Sequence, residues 1–399
     1  MTAIIKKHGS IKDDRLSPIL KWAGGKEQEL KYIHPCLPPT IKNYYEPFIG
    51  GGAVYFSIDA NKMFINDKSH ELINLYNVIA KQDSKFFNVV DEIMHNWSLL
   101  EVIVQTNSET FIDEYKKYSQ NKSSDDNVKN WVTHFVLKHA DEFNGMFDTS
   151  FNVNIENFLR ELRKNIANKM KRMKKIELDR GTLPDSDILD NMEGALKSAF
   201  YMHFRYLYNS IKKHNIEHSF AVAIFFFIRN YAYSGMFRYN KSGAFNVPYG
   251  GIGYNRKNLA KKVDYLQSKG LVQHLSKTTI DNLDFEEFFA KNKPQKGDFI
   301  FLDPPYDSEF STYAQNEFTR ADQARLANYL INSCKANWMM VIKNTDFIYG
   351  LYNKEGININ TFDKKYLVSF QNRNNKEAEH LIITNYKIWY NWPTLNLGD

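Results

Sequence analysis

The sequence predicts an α/β protein whose sheet is divided between the two ends of the chain. Short apolar strands alternate with helical patterns in residues 17–105, and the same alternation resumes after Leu259. Strand, loop, helix and strand in this order are typical of a parallel sheet. From about 106 to 229 the apolar residues recur with helical spacing instead. We therefore expect one α/β sheet that a long, mainly helical insertion interrupts.

These changes of pattern divide the 399 residues into three segments. We expect residues 1–105 to hold the first half of the sheet domain, residues 106–258 to hold the insertion, and residues 259–399 to hold the second half. A chain of this length can bury a substantial core, in one large domain or in two.

The composition narrows the class of protein and its surroundings. A formal net charge of +6 favours an anionic partner, although many enzymes carry such a charge. Cys36 and Cys334 have no spacing that pairs them, which indicates a reducing compartment. The longest apolar run, Phe220–Ile228, has nine residues, about half of what a membrane span needs. The N-terminus has no signal-peptide pattern, and we expect a cytoplasmic protein without a membrane segment.

The predicted elements follow from local sequence patterns. In the first segment "NYYEPF" and "KMFIND" are predicted strands, and "KSHELINLYNVIAKQ" is the helix after the second. In the third segment "FIFLD", "WMMVIKN" and "HLIITNY" are predicted strands. The helix between the first two of these begins at "TRAD", Thr319 to Asp322, which has the pattern of a capping box.

The insertion carries two features of interest. Residues 160–180 contain nine Lys or Arg and three acids, which fits either a solvated helix face or a helix that faces phosphates. Residues 230–258 are rich in aromatic residues and glycine, and within them "RYNKSGAFNV" predicts a β-hairpin.

The segment "FIFLDPPYD" predicts a ligand site at the end of a buried strand. The carboxyl ends of strands in open α/β sheets are where such proteins bind ligands, so Asp303 would project at the edge of a cleft. Pro304 and Pro305 donate no backbone hydrogen bond and give the chain a stiff path. The Asp303 carboxylate, the Pro304 carbonyl and the Tyr306 ring would suit a flat donor such as an exocyclic amine. A plain strand-to-turn exit is the alternative.

The segment "EPFIGGGAVYF" predicts a turn that approaches a nucleotide or nucleoside. Glycines between a strand and an apparently helical run allow such an approach at Gly50. The dinucleotide fingerprint G-x-G-x-x-G does not match, so NAD is not favoured. Asp67 ends the next predicted strand, where an acid can bind ribose hydroxyls. A structural glycine cluster with an incidental Asp remains open.

The segment "LKWAGGK" lacks the spacing of a phosphate-binding P-loop. Trp22 and Lys26 could instead cover a ligand, with the Lys26 ammonium meeting a carboxylate. On its own this segment is a weak signal.

Together these segments resemble the Dam-type family of DNA adenine-N6 methyltransferases, over roughly residues 17–85 and 229–390. "LKWAGGK", "EPFIGGGAVYF" and "FLDPPY" look like its N-terminal, cofactor and catalytic motifs. "RNYAYSGMFRYNKSGAFNVPYG" resembles its DNA-reading hairpin, and "NRNNKEAEHLIITNY" is similar to its C-terminal segment. The segment from about 106 to 229 is longer than the shorter family members need, which leaves the recognition sequence open.

The resemblance implies a Rossmann-like, S-adenosylmethionine-dependent methyltransferase sheet with a helical and β-hairpin target-recognition insertion. It implies S-adenosylmethionine as cofactor, double-stranded DNA as substrate and no metal; a cognate restriction endonuclease is left open as a partner. The residues that it implies are Asp303, Pro304 and Tyr306 for catalysis; Trp22, Lys26, Phe48, Gly50, Asp67 and Asp303 for the cofactor; and Tyr233, Ser234, Arg238 and Asn240 for DNA. Ser234 departs from the pattern, since the Dam enzymes tend to carry Asn there.

The chemistry that follows uses orientation more than acid–base catalysis. Acceptors on both amino hydrogens of adenine, from Asp303 and Pro304, would localise the nitrogen lone pair for attack on the methyl group. The base must first leave the duplex, and the Tyr306 ring would stack on it.

Three alternatives remain open from the residues alone. Methylation of cytosine at ring carbon 5 would use a cysteine nucleophile, for which Cys36 in "HPCLPP" is the candidate. The same fold could act on RNA or on another planar amine, such as a protein side-chain amide. The chain could also be an inactive relative that only binds DNA.

Overall fold

The computed structural model describes residues 16–22, 24–145, 153–306, 318–365 and 377–388. The chain forms two compact units, of which the first comprises the described parts of residues 1–81 and 266–399. The second unit comprises the described parts of residues 82–265.

The first unit is built on a sheet of seven strands in its described part. The strands are β1 (Asn43–Glu46), β2 (Lys62–Asn66), β3 (Thr278–Asp281), β4 (Phe299–Leu302), β5 (Asn337–Lys343), β6 (Asn358–Lys365) and β7 (Glu377–Thr384). Their order is β3-β2-β1-β4-β5-β7-β6, in which β7 runs antiparallel to both β5 and β6 and the other pairs are parallel. The predicted parallel α/β sheet is therefore confirmed.

The helices belong to both units. They are α1 (Leu30–Ile33), α2 (His70–Ala80), α3 (Ser84–Thr106), α4 (Ser108–Ser119), α5 (Asp125–Lys138), α6 (Ala140–Gly145), α7 (Ile155–Arg180), α8 (Asp185–Asn209), α9 (His218–Tyr231), α10 (Ala260–Leu266), α11 (Lys269–Ser276), α12 (Phe285–Asn292), α13 (Arg320–Asn332) and α14 (Asp346–Tyr352). None of the helices in the described ranges combines the length and apolar composition that crossing a bilayer requires.

Strand β4 lies at the centre of the sheet because every one of its side chains is apolar. Its four residues are all buried between β1 and β5. On one side of the sheet its residues join a core with Trp338 of β5, Phe288 of α12 and Leu326 of α13. Burial on both faces is typical of a parallel strand, and it fixes the end of β4 relative to its neighbours.

The local patterns predicted most elements of this unit correctly. Helix α13 begins as expected, since the Thr319 side chain accepts from the Asp322 N–H and the Asp322 carboxylate accepts from the Thr319 N–H. The apolar run after the glycines, which looked helical, forms only one 3-10 turn at Tyr55–Ser57. The chain turns extended at Ile58 and enters β2 at Lys62, so there is no room for a longer helix.

The second unit is a helical body with an aromatic core. The ring of Trp97 on α3 meets Phe200 of α8 and Phe227 of α9 edge to face, with centroids 6.0 and 5.5 Å away. Because α3 packs on α8 and α9, it groups with the insertion. The second unit therefore begins at Gln82 and ends at Tyr265. The sequence pattern instead predicted an insertion from residue 106 to residue 258.

The hairpin after α9 forms where the sequence placed it. Tyr239 and Phe245 form an antiparallel bridge, and the Asn246 N–H donates to the Arg238 carbonyl at 3.1 Å. At the tip, the Asn240 side-chain oxygen accepts from the N–H groups of Ser242 and Ala244. The hairpin is thus held by its turn and by isolated bridges more than by long strands.

Candidate active site

The site begins where the order of strands reverses. Strand β1 lies between β2 and β4, so the connections on its two sides leave the sheet in opposite directions. Such a switch point opens a crevice at the carboxyl ends of the strands, where α/β proteins bind ligands. Glu46 ends β1, and Asp303 follows β4 directly.

Lys26 and Asp303 form an ion pair at this point. The Lys26 ammonium lies 2.5 Å from the Asp303 carboxylate, although 277 residues separate them in the chain. The lysine side chain is 3% exposed and the aspartate side chain 20% exposed. The ammonium also donates to the Gly24 carbonyl at 2.8 Å, so the turn that carries Lys26 presents it to the end of β4.

A second carboxyl group belongs to the same cluster. Glu46 is buried and accepts a hydrogen bond from the Tyr44 hydroxyl at 2.6 Å. Burial raises the pKa of Glu46 well above its usual range, and the negative charge of Asp303 adds to that rise. The Lys26 charge and the Tyr44 hydrogen bond oppose it without overcoming it. The carboxyl groups of Glu46 and Asp303 and the Lys26 ammonium therefore form one cluster, in which Lys26 pairs directly with Asp303.

The glycine turn packs directly under Trp22. Gly50 has a φ of +49°, and a Cβ built on it would lie 3.0 Å from Cδ1 of the Trp22 indole. A Cβ on Gly51 would lie 2.8 Å from the Leu20 carbonyl oxygen. Only glycine fits a turn that combines a positive φ with such close contacts. The structure thus places Trp22 against Gly50; their predicted contacts with a cofactor remain a prediction.

Asp67 holds the glycine turn from the end of β2. One carboxylate oxygen accepts from the Gly50 N–H at 3.0 Å, and the other accepts from the Ser69 N–H at 2.9 Å. Burial raises the pKa of Asp67, while these backbone hydrogen bonds act in the opposite direction. Each oxygen can accept a further hydrogen bond, so the structural role of Asp67 is compatible with binding a hydroxyl group.

Phe48 and Asn282 complete this side of the site. The Phe48 ring packs against Phe285 and, edge to face at 5.4 Å, against Phe318. Asn282 follows β3 and donates to the Asp67 carbonyl at 2.7 Å. Sequence analysis did not identify Asn282 because β3 was not among the predicted strands. With β3 recognised as the neighbour of β2, a polar residue directly after it would have indicated this position.

The D-P-P-Y segment leaves β4 with contacts to two other elements. The Pro305 carbonyl accepts from the Gln323 side-chain amide at 2.9 Å. The Tyr306 hydroxyl lies 3.2 Å from Nε2 of His380, and its ring meets the histidine ring edge-on. Among the described residues, no backbone N–H donates a hydrogen bond to the Pro304 carbonyl. The sequence analysis did not identify Gln323 or His380.

The predicted DNA-reading residues lie in the second unit. The Tyr233 side chain is 46% exposed. Arg238 is exposed, and its Nε donates to the Asn246 side chain at 3.1 Å. The Asn240 side-chain oxygen is occupied by the hairpin turn, so its role here is to shape the tip.

The backbone at Ser234 has a conformation that few residues adopt easily. Its φ of +53° lies in the left-handed region, which Asn tolerates better than most residues other than glycine. Serine therefore occupies a position whose conformation favours the Asn found in the Dam enzymes.

Cys36 does not have the properties of a nucleophile. It is buried, and burial raises the pKa of its thiol to about 12. At neutral pH such a group carries almost no thiolate, which is the reactive form. Carbon-5 methylation through Cys36 is therefore not supported.

A strand-order switch point at β1, a tight glycine turn after β1 and an acid directly after β4 form the arrangement in which α/β sheets bind their ligands. The family model described as D12 class N6 adenine-specific DNA methyltransferase matches residues 22–182 and 184–368, and the chain belongs to this family. It is thus a DNA methyltransferase specific for the N6 group of adenine. The predicted fold class, a Rossmann-like methyltransferase sheet with a helical and β-hairpin insertion, is confirmed.

Three relatives match this chain along nearly their whole length. The chain is 26% identical to the type II methyltransferase M.MjaIII of Methanocaldococcus jannaschii, over 93% of this chain and 99% of the relative. It is 24% identical to the type II methyltransferase M.CviBI of Paramecium bursaria Chlorella virus NC1A, over 93% and 100%. It is 22% identical to a DNA adenine methylase of Vibrio cholerae, over 91% and 94%.

Proposed function

We propose that this chain transfers a methyl group from S-adenosylmethionine to the N6 amino group of adenine, at a specific sequence in double-stranded DNA. The observation that carries the proposal is the Asp303 carboxylate beside the buried Lys26 ammonium, directly before two prolines at the sheet's switch point. The Lys26 ammonium pairs with one oxygen of Asp303, and the carboxylate retains acceptor capacity for a further hydrogen bond.

The residues around the glycine turn fit the proposed cofactor. At Gly50 and Gly51 the space that a Cβ would need is taken by Trp22 and Leu20, so these glycines keep the turn tightly packed against the segment that carries Trp22. In the proposed complex this turn lies beneath the cofactor. Asp67 has acceptor capacity for ribose hydroxyls, and the Lys26 ammonium can bind a carboxylate. Trp22, Phe48, Gly50 and Asp303 complete the proposed set. When bound, S-adenosylmethionine supplies an electrophilic methyl group on a sulfonium.

The D-P-P-Y residues would prepare the adenine for attack. The amino nitrogen is a poor nucleophile because its lone pair is delocalised into the ring. Hydrogen bonds from its two protons to the Asp303 carboxylate and the Pro304 carbonyl favour a localised lone pair. The Tyr306 ring offers a face on which the flipped base stacks. The residues thus lower the barrier by orientation and by fixed dipoles.

The hairpin of the second unit would read the DNA. Tyr233 and Arg238 are exposed, while Ser234 and Asn240 shape the segment that carries them. An arginine fork matches O6 and N7 of guanine in the major groove. A tyrosine wedge offsets the unstacking that base flipping requires.

A restriction endonuclease is the protein partner that we propose. Two of the relatives reported above are named type II methyltransferases, and methylation of a shared recognition sequence would protect DNA from such a nuclease. Sequencing methylated adenines in DNA from a host that expresses this chain would identify that sequence.

Replacing Asp303 tests the proposed mechanism. For Asp303→Ala we expect kcat to fall by about 100-fold or more, with little change in the Kd for DNA, because the missing acceptor acts in the transition state. Asp303→Asn should recover part of the activity, since its amide oxygen still accepts. Single-turnover methylation of duplex DNA, with RNA as competitor, measures both effects and the choice of polymer.

Asp298 offers a matched control at the opposite end of β4. Its carboxylate accepts from the Asn43 side chain and from the Gln295 N–H. Asp298→Ala should lower the melting temperature and leave kcat per folded molecule unchanged. Near-normal turnover in Asp303→Ala would remove Asp303 from the mechanism.

A further inference from the structure

The D-P-P-Y segment cannot hold its own position. Pro304 and Pro305 have no N–H, so neither can tie the segment to the sheet or to a helix by donating a hydrogen bond. The segment nevertheless has to present the Asp303 carboxylate and the Pro304 carbonyl in one fixed arrangement. Hydrogen bonds that reach the segment from other elements are therefore needed.

Gln323 of α13 supplies one such contact at a cost to the fold. Its side chain is fully buried, and its Nε2 donates to the Pro305 carbonyl at 2.9 Å. Its Oε1 is also buried and accepts no hydrogen bond from any residue in the described ranges. A buried amide that is half satisfied is unfavourable for stability. An apolar side chain at this position would make the fold more stable. The hydrogen bond to the Pro305 carbonyl is therefore what accounts for an amide here.

The capping box of α13 fixes the position from which Gln323 donates to the Pro305 carbonyl. Thr319 and Asp322 fix the first turn of the helix through reciprocal hydrogen bonds. Gln323 is the next residue, so its backbone position is set by that turn. A rigid helix start then carries the amide to the Pro305 carbonyl.

His380 of β7 supplies the second contact. Its side chain is fully buried, and Nε2 lies 3.2 Å from the Tyr306 hydroxyl. In the sheet it stands opposite Lys343 of β5 and Phe362 of β6, and its ring packs on the Phe362 ring at 5.7 Å. The histidine is thereby fixed on two sides and can set the angle of the Tyr306 ring.

We propose that Gln323 and His380 are positioning residues, which hold the Pro305 carbonyl and the Tyr306 ring and thereby aim the acceptors of D-P-P-Y. The inference rests on the proposed roles of Asp303, Pro304 and Tyr306. It adds two residues, from α13 and β7, that act through the segment and do not touch the adenine.

Gln323→Met separates positioning from stability. The variant removes the unpaired buried oxygen, which offsets the loss of the hydrogen bond to the Pro305 carbonyl, so the melting temperature should change little. We expect kcat to fall by about 10-fold or more because the acceptors are no longer aimed, while the KM for S-adenosylmethionine changes less than twofold. Gln323→His, which keeps a donor, should recover part of kcat.

Leu330→Ala is the matched control on the same helix. Leu330 is buried in the core that backs β4, so this variant should lower the melting temperature with kcat per folded molecule unchanged. A Gln323→Met variant that behaves like Leu330→Ala would overturn the inference for Gln323.

A double-mutant cycle tests His380. His380→Phe keeps the ring and removes its nitrogens, and Tyr306→Phe keeps the stacking face and removes the hydroxyl. If His380 acts through that hydroxyl, each single variant and the double variant should lose kcat by the same factor. Independent losses that multiply would overturn this part. If Asp303→Ala is inactive while Gln323→Met and His380→Phe keep their activity, the roles inferred for Gln323 and His380 are rejected and the proposed mechanism stands. If Asp303→Ala is active, the proposed mechanism itself is rejected.

Discussion

Lys26 is the buried cation of the candidate site, and its ammonium lies beside the residue that follows β4. The sequence suggested that Lys26 meets the carboxylate of a ligand. In the structure its 2.5 Å partner is the carboxylate of Asp303. The ammonium also donates to the Gly24 carbonyl at 2.8 Å and to the Tyr306 hydroxyl at 3.4 Å. A ligand carboxylate would therefore replace the longest of these three contacts, the one to Tyr306.

Arg238 is the residue that we expect to read a base. Its Nε is bound to Asn246, which leaves the two terminal nitrogens of the fork for a guanine. Arg238→Ala should relax specificity at one base pair by about 1–3 kcal/mol, with turnover on some non-cognate sites retained. Methylation rates on a set of duplexes with single base-pair changes give this profile.

Lys241 provides the comparison within the same hairpin. It is exposed near the tip, so Lys241→Ala should weaken binding to all sequences alike and preserve the profile. An Arg238→Ala enzyme that stays fully selective at every position would make the rest of the insertion the reader.

The residues that the sequence failed to indicate share a physical property. Gln323 looks like an ordinary polar position of an amphipathic helix, and His380 like one residue of an apolar strand. Their importance arises from contacts across 18 and 74 residues of chain, which no local pattern encodes. Asp303 and Gly50 could be predicted because a proline pair follows the first and a glycine run contains the second. Prolines and glycines indicate a special backbone conformation from the local sequence alone.

At the scale of elements, α7 shows that a basic helix face can be structural. Lys171 forms an ion pair with Asp125 at 2.6 Å. Lys174 donates to the Tyr118 carbonyl at 2.9 Å and lies over the Tyr118 ring. Two of the lysines that suggested a phosphate-facing helix therefore attach α7 to neighbouring parts of the second unit.

Replacing these two lysines should affect stability more than DNA binding. For the double change Lys171→Gln and Lys174→Gln we expect a lower melting temperature and an unchanged salt slope of DNA binding. The exposed pair Arg172 and Lys175 is the comparison, because removing a charge that binds a phosphate would reduce the slope by about one unit. DNA-binding titrations of both double variants at several salt concentrations decide between the two interpretations of this helix face. A reduced salt slope in the Lys171→Gln and Lys174→Gln variant would contradict our prediction.

The elements that could be predicted were those with a strong local pattern. The apolar β4 and the capped α13 fall in this group. Strand β3 was missed because its four residues, "TTID", are mostly polar and only one is buried. Its place in the sheet comes from pairing with β2, which is a tertiary interaction.

At the scale of the whole molecule, buried histidines should make the fold sensitive to acid. Burial lowers the pKa of His274 to about 4 and that of His203 to about 3. The unfolded chain binds these protons near pH 6.5 while the folded chain does not. Stability is therefore fully present above pH 6.5 and is lost as the pH falls towards these lower values.

His274→Phe should reduce this loss, because its ring packs against Tyr55 and Phe56 and a phenyl ring can replace it. Between pH 7 and pH 5 we expect the free energy of unfolding to fall by roughly 1–2 kcal/mol less in the variant than in the wild type. Urea unfolding at the two pH values measures the difference. Equal losses in the two proteins would show that His274 is not the group that titrates.

Because the second unit interrupts the first in the chain, the strands of the sheet are translated in two groups separated by the insertion. Strands β1 and β2 are translated before the insertion, whereas β4, the other neighbour of β1, begins only at Phe299. At about 5–20 residues per second, this partner follows after on the order of ten seconds or more. Throughout that interval the nascent chain carries a strand edge with unpaired N–H and C=O groups, which is a template for aggregation. The length of the insertion therefore adds directly to the time for which this edge of the new chain stays unpaired.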